Sequence, residues 1–145
     1  MPTLLLKYVW GEIMTFTGGC FCGAIKFQCD GNPVETAYCH CSICRKTTGA
    51  PLLAFASFPI KSFYYTKGKP SIFKSSTKGQ REFCSNCGTQ LCFKLAEAAE
   101  TIDIISGTLD DPSNVAPTHH IYISSRLPWV TLDNQLPAYE NECNI

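Results

Sequence analysis

Cys84-Ser85-Asn86-Cys87-Gly88 is the stretch on which the fold turns. Two cysteines three positions apart with glycine behind them describe a knuckle, in which the chain curls so that both thiolates face one point. Zinc takes four such ligands in a tetrahedron, so one knuckle is half a site. The other half is Cys20-Phe21-Cys22, followed by Gly23, about sixty residues upstream. Together Cys20, Cys22, Cys84 and Cys87 predict a closed four-cysteine site that ties the beginning of the chain to its middle and contributes directly to folding.

Between them lies Cys39-His40-Cys41-Ser42-Ile43-Cys44, with three ligands and no obvious fourth. Three protein ligands and an open position suit a catalytic zinc, because substrate or water must enter the coordination shell. Closure by Cys29, Cys92, Cys143 or a histidine would make a second structural site, and spacing alone leaves the two readings level. Disulfides are the weaker explanation for ten cysteines in 145 residues. A C-x-C pair is awkwardly close for bridging, and the N-terminus lacks a secretory pattern: Leu4 to Leu6 is interrupted by Lys7 and preceded by no basic segment. The expected compartment is therefore the cytoplasm, where clustered thiols bind metal or act as nucleophiles. The longest apolar run, Pro51 to Ile60, falls short of the roughly 18 residues that cross a bilayer, so no membrane span is expected.

The length suits one domain, and 35 residues of Leu, Ile, Val and Phe suffice for a core. Strand-like runs separated by turns dominate from residue 15 onward: Ala24 to Cys29, Leu52 to Phe58, Ser62 to Thr66, Ser71 to Ser75, Thr89 to Lys94, Thr101 to Ser106 and His120 to Ser124. The turn Lys67-Gly68-Lys69-Pro70 predicts that the third and fourth of these pair as a hairpin. Helical periodicity is confined to Cys41 to Thr48 and Leu95 to Glu100. The expectation is a mainly β domain over residues 15–140, with one or two short helical turns. Residues 1–14 and the tail 141–145 are expected to be peripheral, and Met14 is an alternative start.

The net charge of zero hides a division: residues 1–94 carry +7 and residues 95–145 carry −7. Lys61, Lys67, Lys69, Lys74, Lys78 and Arg81 fall in 21 residues without an acid. A solvated strand-and-turn surface is the simpler reading of that stretch, and an anion site the sharper one.

Three further observations carry a resemblance. Thr17-Gly18-Gly19-Cys20-Phe21-Cys22-Gly23, Tyr38-Cys39-His40-Cys41-Ser42-Ile43-Cys44-Arg45-Lys46 with Gly49, and Phe83-Cys84-Ser85-Asn86-Cys87-Gly88 occur in order, followed by His120-Ile121-Tyr122, Ser124, Pro128-Trp129 and Leu136-Pro137. This succession resembles the glutathione-dependent formaldehyde-activating enzyme (GFA) family, also called the centromere protein V domain, over about Thr15 to Glu140. The resemblance implies a β-tent fold of antiparallel sheets stabilised by two zinc ions. It assigns Cys20, Cys22, Cys84 and Cys87 to the structural zinc, and Cys39, Cys41 and Cys44 to the catalytic one. It also implies addition of the glutathione thiol to formaldehyde, the activity of an S-(hydroxymethyl)glutathione synthase, a carbon-sulfur lyase.

On that reading a substrate thiol is the fourth ligand, and Arg45, Lys46 or part of the Lys61 to Arg81 stretch meets the carboxylates of glutathione. His120 is a weaker candidate for substrate contact, with His119 beside it. His40, between two ligands, is expected to point away from the metal. Trp129 reads as packing, Cys29 and Cys92 as small buried hydrophobes, and Cys143 as an exposed thiol in an acidic tail. Two other classes of function compete. A non-catalytic zinc-stabilised module would contact nucleic acid or protein through Lys67, Lys69 and Lys74, although zero net charge and the lack of interleaved aromatics disfavour nucleic acid. A thiol-redox enzyme would need a nucleophile outside the zinc sets, for which Cys92 is the interior candidate.

Overall fold

The alternation across Lys26–Asp30 places Phe27 and Cys29 inside and Lys26 outside, and the computed structural model makes this segment the centre of the smaller of two sheets. The structure describes residues 14–132 and 135–143; the N-terminal segment up to residue 13 lies outside the described residues. Strand β2 (Lys26–Asp30) pairs antiparallel with β1 (Thr15–Gly19) on one side and β5 (Phe63–Lys67) on the other. The larger sheet contains β3 (Glu35–Cys39), β4 (Leu53–Pro59), β6 (Ser71–Lys74), β7 (Gly79–Phe83), β8 (Gln90–Leu95), β9 (Thr101–Ile105) and β10 (His120–Ile121). Their order is β10-β3-β4-β9-β8-β7-β6. Every pairing is antiparallel except β10 with β3, which is parallel. One α-helix, α1 (Ser42–Thr48), and four single-turn 3-10 helices complete the described residues, so the mainly β expectation holds. No described helix is long and apolar enough to cross a membrane.

Residues directly opposite on paired strands point to the same face, so the register assigns the two faces of the large sheet. One row runs Thr36, Ala56, Ile104, Cys92, Glu82 across β3, β4, β9, β8 and β7. From Ala56 to Glu82 this row is buried against the small sheet, where Phe16 meets Phe58 edge-on at 5.4 Å and Phe27, Cys29, Leu91 and Ile102 fill the core. The neighbouring row runs Glu35, Ser57, Asp103, Phe93, Arg81 and faces the other way. It meets a second, smaller apolar cluster of Ala37, Cys39, Cys44, Leu53, Phe55 and Ile121.

Four expectations change. Ser62 to Thr66 and Ser71 to Ser75 do not form a hairpin: β5 adds to β2, and β6 pairs with β7. The turn at Gly68 (φ 71°) instead carries the chain from one sheet to the other. On β2, Phe63 packs against Phe27 at 5.5 Å and Tyr65 edge-on against Phe63 at 4.9 Å, burial that an isolated hairpin would not give. Leu95 to Glu100 is not helical: Leu95 ends β8, and residues 96–98 bend toward β9 with Ala98 at φ 49°. The strand at His120 ends after Ile121, because Tyr122 takes a left-handed conformation (φ 55°) and a 3-10 turn follows. Finally, the tail is not peripheral through residue 143. Backbone bonds join His120 to Pro137 and Tyr139, Ile123 to Tyr139, and Tyr122 to Asn141, while Cys143 packs against the smaller cluster.

Candidate metal centres

Each knuckle is a local product of its glycine and its backbone bonds. Gly88 (φ 79°) donates its N–H to the Cys84 carbonyl at 2.8 Å, and Gly23 (φ 80°) does the same to Cys20 at 3.2 Å. Both positions need a left-handed backbone that glycine adopts without steric cost. The sulfurs also collect donors: Ile25 N–H to Cys20 Sγ at 3.2 Å and Asn86 Nδ2 to Cys22 Sγ at 3.2 Å. The Ile25 donor favours the thiolate form of Cys20.

The Sγ atoms of Cys20, Cys22, Cys84 and Cys87 all lie within 4.8 Å of one another. Cys20 and Cys22 are 3.6 Å apart, and Cys22 and Cys84 are 3.8 Å apart. A tetrahedron with zinc–sulfur bonds near 2.3 Å has edges of about 3.8 Å, so the donor set fits the ion in type, number and spacing. This centre joins the end of β1 in the small sheet to the end of β7 in the large one.

The second centre is Cys39, Cys41 and Cys44, whose Sγ atoms also lie within 4.8 Å of one another, with Cys39 and Cys44 3.5 Å apart. Cys39 comes from the end of β3 and Cys44 from the first turn of α1. Cys41 caps that helix, its sulfur accepting from the Cys44 N–H at 3.2 Å. Gly49 (φ 68°) ends the helix by donating to the Arg45 carbonyl at 2.8 Å. Protons are shared unevenly among the three thiols. Contacts with Cys39 and Cys44 push Cys41 down to about 2, whereas contacts with Cys41 and Cys44, and then burial, push Cys39 far up. Without a cation the group holds one thiolate comfortably, and a divalent cation is what would let all three ionise. Among the described residues no fourth ligand atom joins this set.

Arg81 is 5% exposed and donates from Nη2 to Cys44 Sγ at 3.7 Å. Its Nε donates to Ser75 Oγ at 3.1 Å, and its guanidinium lies 4.9 Å from the centroid of the Phe93 ring. With the Gln90 amide oriented to satisfy both its ends, Arg81 Nη1 donates to it at 3.2 Å while Gln90 donates to the Thr47 carbonyl at 3.0 Å, linking β7 to α1. The other five basic residues of the Lys61 to Arg81 stretch are exposed, so the solvated reading describes them and fails for Arg81.

A cavity of about 490 Å³ opens over this centre. Cys39, Cys41, Cys44 and Arg81 line one part, Leu53, Phe55, Ile105 and Ile121 the apolar wall, and Glu35, Ser57 and Asp103 another part. Ser57 Oγ donates to Asp103 Oδ1, yet burial, together with the charges of Glu35 and Glu142, holds the Asp103 carboxyl up at about 6. Arg45, Lys46 and His120 are not among the lining residues. Arg45 is half-buried on α1 and Lys46 exposed. His120 is buried, with Nδ1 2.9 Å from His40 Nε2 and its ring stacked on Tyr38 at 4.9 Å. His40 thus points away from the sulfurs, and burial, helped by His120 and Arg126, lowers its pKa. His119 pairs with Glu35 at 2.9 Å. Trp129 is 69% exposed, so it is no part of the core. Of the lining residues, sequence reasoning passed over Asp103, favoured a solvated surface for Arg81 beside a possible anion contact, and named Cys143 both as an exposed tail thiol and as one of several residues that could close the three-cysteine set.

The chain is similar to known proteins in sequence and in fold. The chain is 26% identical over 131 residues to a Halomonas elongata protein named "Putative glutathione-dependent formaldehyde-activating enzyme", covering 84% of this chain and 83% of that one. It is 35% identical over 80 residues to an uncharacterized lyase of Schizosaccharomyces pombe, covering 54% of this chain and 56% of the other. A crystal structure of a Rhodobacter sphaeroides protein shares the fold, with a TM-score of 0.55 at 19% identity over 72% of this chain and 98% of that one. The profile of the glutathione-dependent formaldehyde-activating enzyme family matches residues 15–125, a span that contains both cysteine sets and β1 through β10, and the chain belongs to that family.

Proposed function

We propose that this protein is a zinc-dependent carbon-sulfur lyase-type enzyme that joins the glutathione thiol to formaldehyde and, in reverse, cleaves the adduct back to the two, as an S-(hydroxymethyl)glutathione synthase does. The observation that carries the reading is the convergence of Cys39, Cys41 and Cys44 on the wall of a 490 Å³ cavity, with the buried Arg81 against one of them. A cavity of that size falls in the range of small-molecule sites. The reading takes both centres as zinc sites, the four-cysteine one structural and the three-cysteine one catalytic. When bound at the latter, zinc supplies acidification of an incoming thiol, which free in water has a pKa near 8.5 and is mostly protonated at neutral pH.

The chain's own residues divide the remaining work. Cys39, Cys41 and Cys44 hold the centre on two elements fixed to the large sheet, β3 and α1. Arg81 offsets the excess negative charge of three thiolates and orients Cys44. Leu53, Phe55, Ile105 and Ile121 shed water from the reacting sulfur and aldehyde carbon, which favours the adduct over hydration of the aldehyde. As the carbon–sulfur bond forms, the carbonyl π pair becomes an alkoxide and takes up the proton given by the thiol. Arg81 is the cation nearest the centre for a glutathione carboxylate, in place of Arg45 and Lys46. The functional unit is residues 15–140, with residues 141–143 completing the cavity wall, and the place of action is the cytoplasm.

Zinc content with ligand distances, combined with a glutathione–formaldehyde exchange assay, tests the reading. Two zinc ions per chain and exchange faster than the spontaneous reaction are expected. Two zinc ions with no acceleration would sink the named activity.

A further inference from the structure

We propose that Cys143 is a displaceable fourth ligand of the three-cysteine centre: its sulfur closes the centre at rest, and an incoming substrate thiol takes its place. This rests on the thiol-substrate reading above and adds to it a resting state.

Seven cysteines belong to the two sets, leaving Cys29, Cys92 and Cys143. Cys29 and Cys92 are fully buried in the core between the two sheets, on the opposite face of the large sheet from the cavity. The histidines are engaged elsewhere, His40 with His120 and His119 with Glu35. Cys143 alone of the three lines the same cavity as Cys39, Cys41 and Cys44, and it packs against the apolar cluster that contains Cys39 and Cys44.

Its placement suits movement over a short distance. Among the described residues, the last backbone anchor of the C-terminal segment is the Asn141 carbonyl, which accepts from the Tyr122 N–H at 3.2 Å. Two residues beyond an anchor reach at most about 7 Å, enough to move a side chain between two nearby partners and too little to leave the cavity. In the position described, the Cys143 side chain lies beside the Tyr139 hydroxyl. Tyr139 is thus the partner of Cys143 in the displaced state, and the centre is its partner at rest.

The exchange balances without redox chemistry. The entering thiol loses a proton, the leaving Cys143 thiolate gains one, and one sulfur ligand replaces another. A tethered thiol acts at an effective concentration in the millimolar range, so a free thiol at comparable concentration displaces it measurably. Closure between turnovers keeps water and stray anions from the fourth position. The second negative charge it adds falls beside Arg81, whose guanidinium already reaches Cys44.

X-ray absorption on zinc-loaded protein reads the ligand count over both centres. Wild type is expected to give about four sulfurs per zinc and Cys143→Ser about 3.5, with Cys143→His restoring four-coordination through a nitrogen. Timed alkylation of the zinc-loaded wild type is the second readout: Cys143 should be protected, and saturating glutathione should speed its modification at least tenfold. An unchanged sulfur count in Cys143→Ser overturns the proposal. Protection that glutathione does not relieve overturns displacement and the thiol-substrate reading with it. Adduct turnover by a protein whose Cys143 is unprotected overturns the ligand role alone.

Discussion

Arg81 Nη2 donates to Cys44 Sγ at 3.7 Å across 37 positions of sequence, joining a buried cation on β7 to a thiol in the first turn of α1. The same guanidinium reaches Ser75 and Phe93, so its orientation is fixed from three sides. Lysine cannot reproduce this, because its ammonium is a point charge without a planar fork. Arg81→Lys should lower adduct turnover by about 10–100-fold, the usual cost of removing a group that supports a metal ligand, with kcat falling more than KM rises. Arg81→Met should in addition weaken metal retention at one of the two centres. Steady-state kinetics and zinc content of the two variants check this, and wild-type turnover in Arg81→Lys would refute it.

The four-cysteine centre joins the two sheets, whereas the three-cysteine centre sits on one side of the larger sheet. Cys84→Ser should therefore lower thermal stability by several kcal/mol and abolish folding at physiological temperature in a chelator, because structural zinc binding is itself folding free energy. Cys41→Ser should lose one zinc and the activity yet keep a cooperative melt within a few degrees of wild type. Calorimetry with metal analysis separates the two, and equal loss of stability would contradict the division of roles.

Asp103 predicts a pH dependence. Its carboxyl is held up at about 6 by burial, against an ordinary 3.8, so the folded chain prefers the protonated form. Its favourable contribution is fully present below about pH 4 and is lost as pH rises through about 6. A shift of that size corresponds to about 3 kcal/mol, from 1.36 kcal/mol per pKa unit. Asp103→Asn removes the titration, so its stability relative to wild type should be greater at pH 8 than at pH 4 by a few kcal/mol. Urea denaturation at both values measures it; parallel pH profiles for the two proteins would count against the buried carboxyl.

Cys92 is fully buried, hydrogen-bonded to the Tyr65 hydroxyl at 3.7 Å, and pushed up to about 12 by burial and by the charge of Glu82. A thiol that is protonated and enclosed is a poor nucleophile. Iodoacetamide at pH 8 should leave Cys29 and Cys92 unmodified in the native protein and label both after unfolding, as peptide mapping will show. Rapid native labelling of Cys92 would revive a thiol-redox role.

What was legible in the sequence was whatever spacing encodes locally. Cys84 to Gly88 and Cys20 to Gly23 each specify a turn by themselves, and Cys41 announced the helix that it caps. Even the division into four and three followed from counting. Partner choice at longer range did not follow. The Lys67 to Pro70 turn has the residues of a hairpin, yet Phe63 and Tyr65 find better burial on β2. Arg81 looked like one more charge in a run of lysines, because its burial depends on Phe93, Gln90 and Cys44, which lie on other elements. Cys143 stood in an acidic tail, and its approach to the cavity depends on backbone pairing with Tyr122 and Ile123 that no side-chain pattern records.

The separation between Cys22 and Cys84, 62 positions, also sets an order of events during synthesis. The three-cysteine ligands span six consecutive residues and can capture an ion as soon as they leave the ribosome. The four-cysteine centre must wait until Cys87 has emerged, and then closes a loop whose entropy cost grows only slowly with length. If both sets bind zinc as proposed above, the three-cysteine set would be charged before the fold that shelters it is locked, and metal supply to the nascent chain would limit how much correctly paired protein forms.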